Sequence, residues 1–374
     1  MQQPALQPQS TCRPNAPGAG RPFLSVIVPV RNEAAFIADT LRQLLEQRYD
    51  AARFEVIVAD GRSTDDTRAI VAALQTRYAH LRLLDNPRQW SSAGRNVAIR
   101  AARGDILVLI DGHCQLNNPY YLQNIADAFA ESGADCIGRP QPLDVVGANR
   151  VQRAIAAARA SWLGHHPASH VYSGRAGFVP PQSVAVAYRR TVFDRVGLFD
   201  EHFDACEDVE FNHRVAQAGL TCWFTPRVRV HYYPRANLPS LFRQMVRYGR
   251  GRMRLLRKHP ETFSLASFLP AAFLAGVAAG PLLACWSSLA AFLYAAGLGV
   301  YGATLLLFSL VLCLRERDLR LLPLLPLIFL TIHAGAGAGI WGELLLGAPS
   351  GPYSVRAEQR THSHAAYAER SLRA

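Results

Sequence analysis

Polar side chains follow three apolar segments of the chain, at the points where these segments would end as strands. They are Arg31, Asn32 and Glu33 after the first segment, Asp60 after the second, and Asp111 and His113 after the third. Asp60 can accept hydrogen bonds from a nucleotide base or ribose, and Asp111 and His113 flank a glycine, so that both can reach one cation. Arg95 follows a loop and can offer two parallel N–H groups to a diphosphate. Together these residue types predict a site for a diphosphate bridged by a metal ion.

The segments that must position these residues alternate between strand and helix patterns. Strands are predicted at 23–30, 54–59, 81–84 and 105–110, and helices at 34–47, after the capping residues 63–67, and at 93–102. Continuous apolar runs are typical of parallel strands that are buried on both faces. This order predicts an open, mostly parallel α/β sheet with right-handed crossovers. Ligands on such sheets bind beyond the carboxyl ends of the strands, where the polar residues lie.

The composition excludes several other classes of protein. Of the 374 residues 50% are hydrophobic, which is too many for a disordered chain. The seven cysteines lack metal-ligand spacing and are expected to be reduced. Residues 23–263 contain no G-x-G-x-x-G or G-x-x-x-x-G-K motif, which argues against dinucleotide and P-loop binding.

The last third of the chain is apolar enough for a membrane. Residues 264–314 are 51 positions without Asp, Glu, Lys, Arg or His, and residues 321–342 are 22 more in which His333 is the only such residue. A membrane-spanning helix needs about 20 apolar residues, so 264–346 is predicted to hold two to three spans. Residues 1–22 are polar and Pro-rich and are predicted to be a disordered leader without a signal sequence.

The positions of basic residues predict which side of the membrane the catalytic domain lies on. Residues 235–258 carry eight basic and no acidic side chains, so the segment 236–263 is predicted to be a basic amphipathic stretch at the cytoplasmic surface of the inner (plasma) membrane. The polar tail 347–374 also carries four arginines, and three full spans would place it on the opposite side. Either the last apolar segment is re-entrant or interfacial, or the charge rule is weak this far along the chain. The sequence leaves both open.

An ordered set of motifs resembles family 2 glycosyltransferases of the GT-A fold. The motifs are S-V-I-V-P-V-R-N-E at 25–33, A-D-G-R-S-T-D at 59–65, R-N at 95–96, G-D-I-L-V at 104–108, V-G-L-F-D-E at 196–201, E-D-V-E at 207–210 and A-G at 218–219. They span 23–235, the predicted catalytic domain. The segment 243–252 and the apolar end are similar to the branch that makes exopolysaccharides of the succinoglycan type.

This resemblance implies a role for each matched residue. The donor site would consist of Pro29, Arg31, Glu33, Asp60, Arg95 and Asp111. Within it, Asp60 would bind the uracil edge of a UDP-sugar, and Asp111 would touch the ribose or the metal. Asp208, paired with Glu207, would be the general base, because inverting transfer needs one carboxylate to deprotonate the attacking acceptor hydroxyl. From the residues alone, Glu207, Asp208 and Glu210 equally fit the acidic first turn of a helix.

The metal motif departs from the family pattern. The usual D-x-D is D-G-H at positions 111–113. Imidazole suits Mn²⁺ better than Mg²⁺, and one of these two divalent cations is the expected cofactor. In other GT-A transferases with D-x-H a downstream histidine joins the metal, and His231 is the candidate here, unless it is merely a histidine at a strand end. The substitution leaves open a weakened or inactive site.

The segment before the apolar stretches resembles the acceptor-binding part of polymerising synthases. Their Q-x-x-R-W is Q-M-V-R-Y here, with Tyr248 in place of Trp. Those enzymes conduct the polymer through a long bundle of spans, whereas here the spans are few and all follow the catalytic domain. We therefore expect a single addition to a lipid-linked glycan. The residues expected at the acceptor pyrophosphate are Gln244, Arg247, Tyr248, Arg250 and Arg252.

The sequence therefore predicts a membrane-anchored, multi-pass, inverting glycosyltransferase with a cytoplasmic catalytic domain. It would move a sugar, glucose by the resemblance, from a UDP-sugar to a polyprenyl-pyrophosphate-linked oligosaccharide in exopolysaccharide biosynthesis. The alternatives are a processive polysaccharide synthase and an inactive GT-A membrane scaffold. Nucleic acid is not an expected partner, because eight of the basic residues of this +12 chain lie beside the first apolar segment.

Overall fold

The computed structural model of the chain describes residues 20–165 and 169–347. The predicted leader up to residue 19 and the predicted tail from residue 348 lie outside the described residues.

The first part of the chain forms strand–helix units that build one half of a sheet. The elements are β1 Leu24–Val30, α1 Ile37–Leu45, β2 Phe54–Asp60, α2 Thr67–Gln75, β3 Leu81–Asp85, α3 Ser91–Ala101 and β4 Ile106–Leu109. β1 pairs in parallel with β2 and β4, and β2 pairs in parallel with β3. The apolar runs of the sequence therefore lie side by side, and their carboxyl ends share one edge of the sheet.

The second part of the chain completes the sheet. Its elements are β5 Cys114–Gln115, α4 Tyr121–Ser132, β6 Cys136–Gly138, α5 Arg150–Ala160, β7 Gly177–Phe178, β8 Ala185–Arg189, α6 Arg190–Val196, α7 Glu207–Gln217, β9 Cys222–Phe224 and β10 His231–Tyr232. The strand order is β3-β2-β1-β4-β8-β6-β9-β7, with β8 antiparallel to β4 and β6. β10 and β5 form a separate antiparallel pair. The predicted open, mostly parallel α/β sheet is confirmed.

Both faces of this sheet are buried. Val26 and Val28 of β1 belong to one hydrophobic cluster, which includes residues of α1 and α4, whereas Ile27 belongs to a second cluster with residues of α3, α6 and α7. Successive side chains of a strand point to opposite faces, so one apolar run serves both clusters. This double burial makes the sheet a rigid platform for the loops at its carboxyl edge.

Glu55 of β2 is a fully buried carboxylate that the fold keeps paired. It accepts hydrogen bonds from the backbone N–H of Arg103 at 2.7 Å, from the Ser25 hydroxyl at 2.8 Å and from Arg82 Nη1 at 3.0 Å. Burial acts to raise the pKa of Glu55, but these hydrogen bonds together hold it below its ordinary value. A carboxyl whose pKa is lower in the folded state stabilises the fold above its unfolded pKa, and this stabilisation is lost as the pH falls through the folded pKa.

We expect Glu55→Gln to lower the free energy of unfolding by about 1–3 kcal/mol at pH 7, because a hydrogen-bonded buried charge is lost. The difference from wild type should shrink below a pH of about 4.3, where the unfolded carboxyl is protonated as well. Denaturant unfolding of the detergent-purified protein at pH 7 and at a pH of about 3 measures both quantities. The exposed Glu46→Gln is the matched control. An equal difference at both pH values would contradict the ionised role of Glu55.

The last part of the chain is helical. Its helices are α8 Leu238–Lys258, α9 Leu265–Ala284, α10 Ser288–Glu316 and α11 Leu325–Leu346. Three of them, α9, α10 and α11, are long and apolar enough to cross a membrane. They differ in burial: 44% of the most apolar 18-residue stretch of α11 is buried against the rest of the protein, compared with 11% for α9 and 22% for α10. α11 is thus the most closely packed of the three.

Candidate active site

Asp111 lies just beyond β4, at the carboxyl edge of the sheet. Its Oδ2 accepts a hydrogen bond from the Tyr232 hydroxyl at 2.9 Å, and its Oδ1 lies 3.5 Å from Arg95 Nη2. Desolvation acts to raise the pKa of Asp111, but the Arg95 guanidinium, then His113 and the Tyr232 hydroxyl, hold it below its usual value. Asp111 is therefore a carboxylate at neutral pH, as a cation ligand must be.

Arg95 joins Asp111 to the acidic start of α7. Its Nη1 lies 3.2 Å from Glu207 Oε1, and its guanidinium carbon lies 5.3 Å from the centre of the Phe199 ring. Gly94 lets α3 approach the sheet closely, because a Cβ there would lie 3.2 Å from the Cβ of Pro29. The Arg95 side chain is thus buried at the base of the cleft, where it can hold both carboxylates in place.

Glu207 and Asp208 have different surroundings although they are neighbours in the sequence. Glu207 is buried beside Arg95, and this burial raises the pKa of Glu207 although Arg95 acts in the opposite direction. Asp208 is exposed and lines an open cleft together with Asp111 and Arg95. Glu207 therefore serves to hold Arg95, and Asp208 is the carboxylate that an incoming group can reach.

His113 turns one ring nitrogen towards Glu33. Its Nδ1 lies 2.9 Å from Glu33 Oε1, and the electrostatic effect of Glu33 raises the pKa of His113. A carboxylate at one nitrogen is the usual way to orient a histidine whose other nitrogen binds a metal. Glu33, predicted to contact the donor, thus contacts His113. Asp111 and His113 fit a divalent cation by their chemistry and their positions.

The structure does not bring His231 to this group. Tyr232, the next residue of β10, is the one that reaches Asp111, and adjacent side chains of a strand point to opposite faces. The charged groups that act on His231 are Asp144 and Arg229, and burial lowers its pKa. In this structure the Tyr232 hydroxyl, and not His231, contacts Asp111, so a metal-ligand role of His231 stays a prediction.

Asp60 lies at the end of β2, close to Arg31, another residue predicted for the donor site. It is fully buried and accepts hydrogen bonds from the Ser63 backbone N–H at 3.2 Å and from Arg68 Nη1 at 3.3 Å. Gly61 lies close to Arg31, because a Cβ there would be 3.3 Å from the Arg31 Cβ. In this structure Asp60 thus holds the loop after β2, beside Arg31.

The residues predicted to bind the acceptor lie on α8, next to the start of α7. Arg247 donates from Nη2 to the backbone oxygen of Asp204 at 2.8 Å, and Gln244 Nε2 donates to the Tyr248 hydroxyl at 3.3 Å. Arg252 is half-buried, and Arg250 lies against α11, since a Cβ at Gly342 would be 3.8 Å from its Nε. α8 therefore brings Arg247 to the loop that precedes Asp208.

Two residues of the cleft were missed from the sequence, Tyr232 and Arg139. Arg139 follows β6, is 1% exposed, and donates from Nη2 to the Tyr232 hydroxyl at 3.3 Å. The available signal was its place directly after Cys136–Gly138, a fourth strand whose end reaches the same cleft. Arg139 adds a second buried guanidinium beside Asp111.

We expect Tyr232→Phe to lower metal affinity or activity by about 10–100-fold, because removing a group that orients a metal ligand has an effect of this size. Activity measured against Mn²⁺ concentration checks this. Tyr233→Phe is the matched control, since the Tyr233 hydroxyl accepts a hydrogen bond from Gln115 Nε2 instead. Equal effects of the two substitutions would contradict a specific role of the Tyr232 hydroxyl.

Within the described part of the chain, His213, His259 and Glu261 also lie close enough together to hold a metal ion. They join the far end of α7 to the end of α8. His213 Nε2 is 2.8 Å from Glu261 Oε1, and the adjacent Glu210 is paired with Lys258 Nζ at 2.7 Å. Because the cation of Lys258 lies next to this group, we interpret it as an ion-paired junction between the two helices.

A doubly covered α/β sheet with an acidic, arginine-lined cleft at its carboxyl edge is typical of enzymes that bind nucleotides. Residues 25–196 match the family described as glycosyl transferase family 2. The chain is 34% identical over 322 residues to the succinoglycan biosynthesis protein ExoA of Rhizobium meliloti. The matched region covers 86% of this chain and 94% of that protein. The chain therefore belongs to glycosyltransferase family 2 and is a glycosyltransferase, as predicted.

Two further similarities agree with this assignment. The dolichyl N-acetyl-alpha-D-glucosaminyl phosphate 3-beta-D-2,3-diacetamido-2,3-dideoxy-beta-D-glucuronosyltransferase of Methanococcus voltae is 24% identical over 67% of this chain and 79% of its own length. The mannosyltransferase PcManGT of Pyrobaculum calidifontis, solved with GDP-Man and Mn²⁺, superposes with a TM-score of 0.55 at 22% identity, over 87% of this chain and 88% of that chain. The latter shows the GT-A fold.

Proposed function

We propose that this chain transfers one sugar, with inversion, from a nucleotide diphosphate donor to a lipid-linked glycan at a membrane surface. The observation that carries this proposal is the difference in burial between the neighbouring acids Glu207 and Asp208. Glu207 is buried beside Arg95, whereas Asp208 is exposed in the cleft that Asp111 also lines. One exposed carboxylate facing a donor site is what inverting transfer requires.

The proposed step uses these groups as follows. Asp208 accepts the proton of an acceptor hydroxyl as its oxygen attacks the anomeric carbon, and the bond from that carbon to the donor diphosphate breaks on the opposite face. Arg95 and Arg139 provide positive charge near the leaving diphosphate. A divalent cation held by Asp111 and His113 would neutralise further negative charge on the diphosphate. The products are the extended glycan and the free nucleoside diphosphate.

The C-terminal helices support a lipid-linked acceptor. α8 carries seven basic side chains and lies between the cleft and the apolar helices, so an acceptor held in a membrane would meet it. The name of the relative from Methanococcus voltae describes a dolichyl phosphate-linked acceptor. We propose a multi-pass protein of the inner membrane with its catalytic part on the cytoplasmic side.

We further propose UDP-glucose as the donor and a polyprenyl-pyrophosphate glycan as the acceptor. The name of the relative ExoA indicates exopolysaccharide biosynthesis. The R-N-E and A-D-G motifs around Arg31 and Asp60 resemble the uracil-binding part of the family. Arg247 and Tyr248 are the proposed acceptor contacts, because Arg247 reaches the loop before Asp208.

Nucleotide release by detergent-purified protein tests this proposal. Several UDP- and GDP-sugars are assayed with a lipid extract as acceptor source, in Mn²⁺, Mg²⁺ or EDTA. We expect release of UDP that EDTA abolishes. Binding of neither UDP nor Mn²⁺ in titrations would contradict the proposal and favour the membrane scaffold, and release of GDP alone would correct the donor.

A further inference from the structure

We propose that α11 does not cross the membrane but lies at its surface on the catalytic side, where its residue Glu343 positions the loop that leads to Asp208. This rests on the proposed membrane attachment. The apolar composition of α11 predicts a third span. Three observations about the contacts of α11 instead favour a position at the membrane surface.

Both ends of α11 touch parts of the catalytic side. At its start, Leu325 and Ile328 share a hydrophobic cluster with Ile155 of α5 and Leu241 of α8. At its end, Glu343 Oε1 lies 3.1 Å from Arg254 Nε of α8. The 22 residues of α11 extend about 33 Å at 1.5 Å per residue, which is the thickness of the hydrocarbon core. A spanning helix would hold its two ends on opposite sides, so these contacts exclude a span.

α11 also runs alongside α8 in the same direction and at close range. Gly335 of α11 faces Met245, Gly339 faces the backbone of Val246, and the contact continues to Arg254 near the end of α8. Glycines allow two helix backbones to approach in this way. α8 carries seven basic side chains along its 21 residues, too many for the hydrocarbon core. Because α11 lies along α8, it shares the same depth at the membrane surface.

Glu343 is a fully buried acid on this apolar helix, and two arginines of α8 pair with it. Besides Arg254, it is 3.3 Å from Arg257 Nη1 and accepts a hydrogen bond from Arg257 Nη2 at its backbone oxygen, 2.8 Å away. Arg254 in turn lies with Nη1 2.5 Å from Asp204 Oδ1. Asp204 is four residues before Asp208. Glu343 thus acts through Arg254 on the loop that carries the proposed base, and is a positioning residue.

The hairpin of α9 and α10 then remains as the membrane-crossing part. The side chains near its tip are exposed and apolar: Leu282, Trp286, Leu289, Phe292 and Leu293 are each at least 60% exposed. One hairpin returns the chain to the catalytic side. The start of α11 then lies on the same side as the basic helix α8, in agreement with the charge rule.

Cysteine labelling of the full-length protein in sealed membrane vesicles tests this placement. Native Cys285 is exposed at the tip of the hairpin. Leu319→Cys places a thiol in the turn six residues before α11, and Leu346→Cys places one at its last residue, and both leucines are exposed. A membrane-impermeant maleimide is applied to right-side-out and inside-out vesicles, and the labelled peptides are identified by mass. We expect both introduced thiols to react from one side and Cys285 from the other.

Reaction of the two introduced thiols from opposite sides would show that α11 spans the membrane and would overturn the proposal. Extraction of the protein by alkaline carbonate would instead overturn the membrane attachment on which it rests. Neither outcome depends on sugar transfer, so the failure of this inference is distinguishable from the failure of the proposed activity.

Enzyme kinetics of Glu343 variants test the positioning role separately. We expect Glu343→Gln to lower kcat about tenfold with an unchanged KM for the donor, because misplacement of a catalytic group lowers the chemical rate. Glu343→Asp keeps the charge and should restore most of kcat. An unchanged kcat in Glu343→Gln, or equal effects of Gln and Asp, would overturn the positioning role.

Discussion

Replacing Asp208 by Asn is expected to lower kcat by about 10²–10⁴-fold, the usual contribution of a general base. The amide keeps the size of the side chain but cannot accept the proton of the acceptor hydroxyl. Because Asp208 is exposed and Asp111, Arg95 and Arg139 remain in place, the affinity for UDP should stay close to that of wild type. The initial rate of UDP release and a UDP titration measure the two quantities separately.

Glu207→Gln is the matched control for this prediction. Glu207 Oε1 is 3.2 Å from Arg95 Nη1 in a buried pair, so its loss should disturb Arg95, and with it donor binding, more than proton transfer. We expect a raised donor KM and a smaller loss of kcat. If Glu207→Gln abolished turnover while Asp208→Asn retained it, the base would be Glu207 and the assignment of the two acids would be reversed.

Replacing Asp111 by Asn is the second large effect that we expect. The substitution removes the negative charge that a cation and Arg95 share, and a metal that stabilises a leaving diphosphate is worth several kcal/mol. At 1.4 kcal/mol per tenfold, kcat/KM should fall by at least about 10²-fold. The stimulation of activity by Mn²⁺ should disappear with it.

Asp39→Asn provides the control for Asp111→Asn. Asp39 lies on α1, is half exposed and pairs at 2.8 Å with Arg42, and neither residue lines the cleft. Exposed ion pairs of this kind contribute little, so activity and its dependence on Mn²⁺ should be close to wild type. Metal stimulation that survived in Asp111→Asn would contradict the role of Asp111 as a ligand.

The strand ends that carry the site could be predicted from the sequence because their strands are nearly continuous apolar runs. β1 and β2 each have seven residues, all apolar or nearly so, and the turn after each strand is marked by polar residues. Parallel pairing then brings Asp60 and Asp111 to one edge whatever the details of the loops. Family membership follows from the same residues, since they form the ordered motifs.

The sequence could not predict which side chains of a short strand point towards the cleft. β10 has two residues, and whether His231 or Tyr232 points to Asp111 depends on its pairing with Cys114 and Gln115. A shift of one residue would exchange the two side chains. β6 has three residues, which is too short for a recognisable apolar run, so Arg139 was overlooked.

The contacts of α8 could not be predicted from its sequence. Its charge and amphipathic pattern indicate a helix at a membrane surface, but composition does not show which arginine faces the catalytic loop and which faces a neighbouring helix. The structure brings Arg247 and Arg254 to Asp204 and places Arg250 against α11. These contacts depend on how α11 packs, which no local pattern determines.

Transfer of a radiolabelled sugar to membrane lipid tests the central claim most directly. Membranes that contain the protein or its Asp208→Asn variant are incubated with labelled UDP-glucose and Mn²⁺, and the lipid extract is analysed for the size of the labelled glycan. We predict one added sugar per lipid-linked glycan with the wild-type protein and none with the variant. Label in a long water-soluble polymer, or equal labelling with both proteins, would contradict the proposed single transfer to a lipid-linked acceptor.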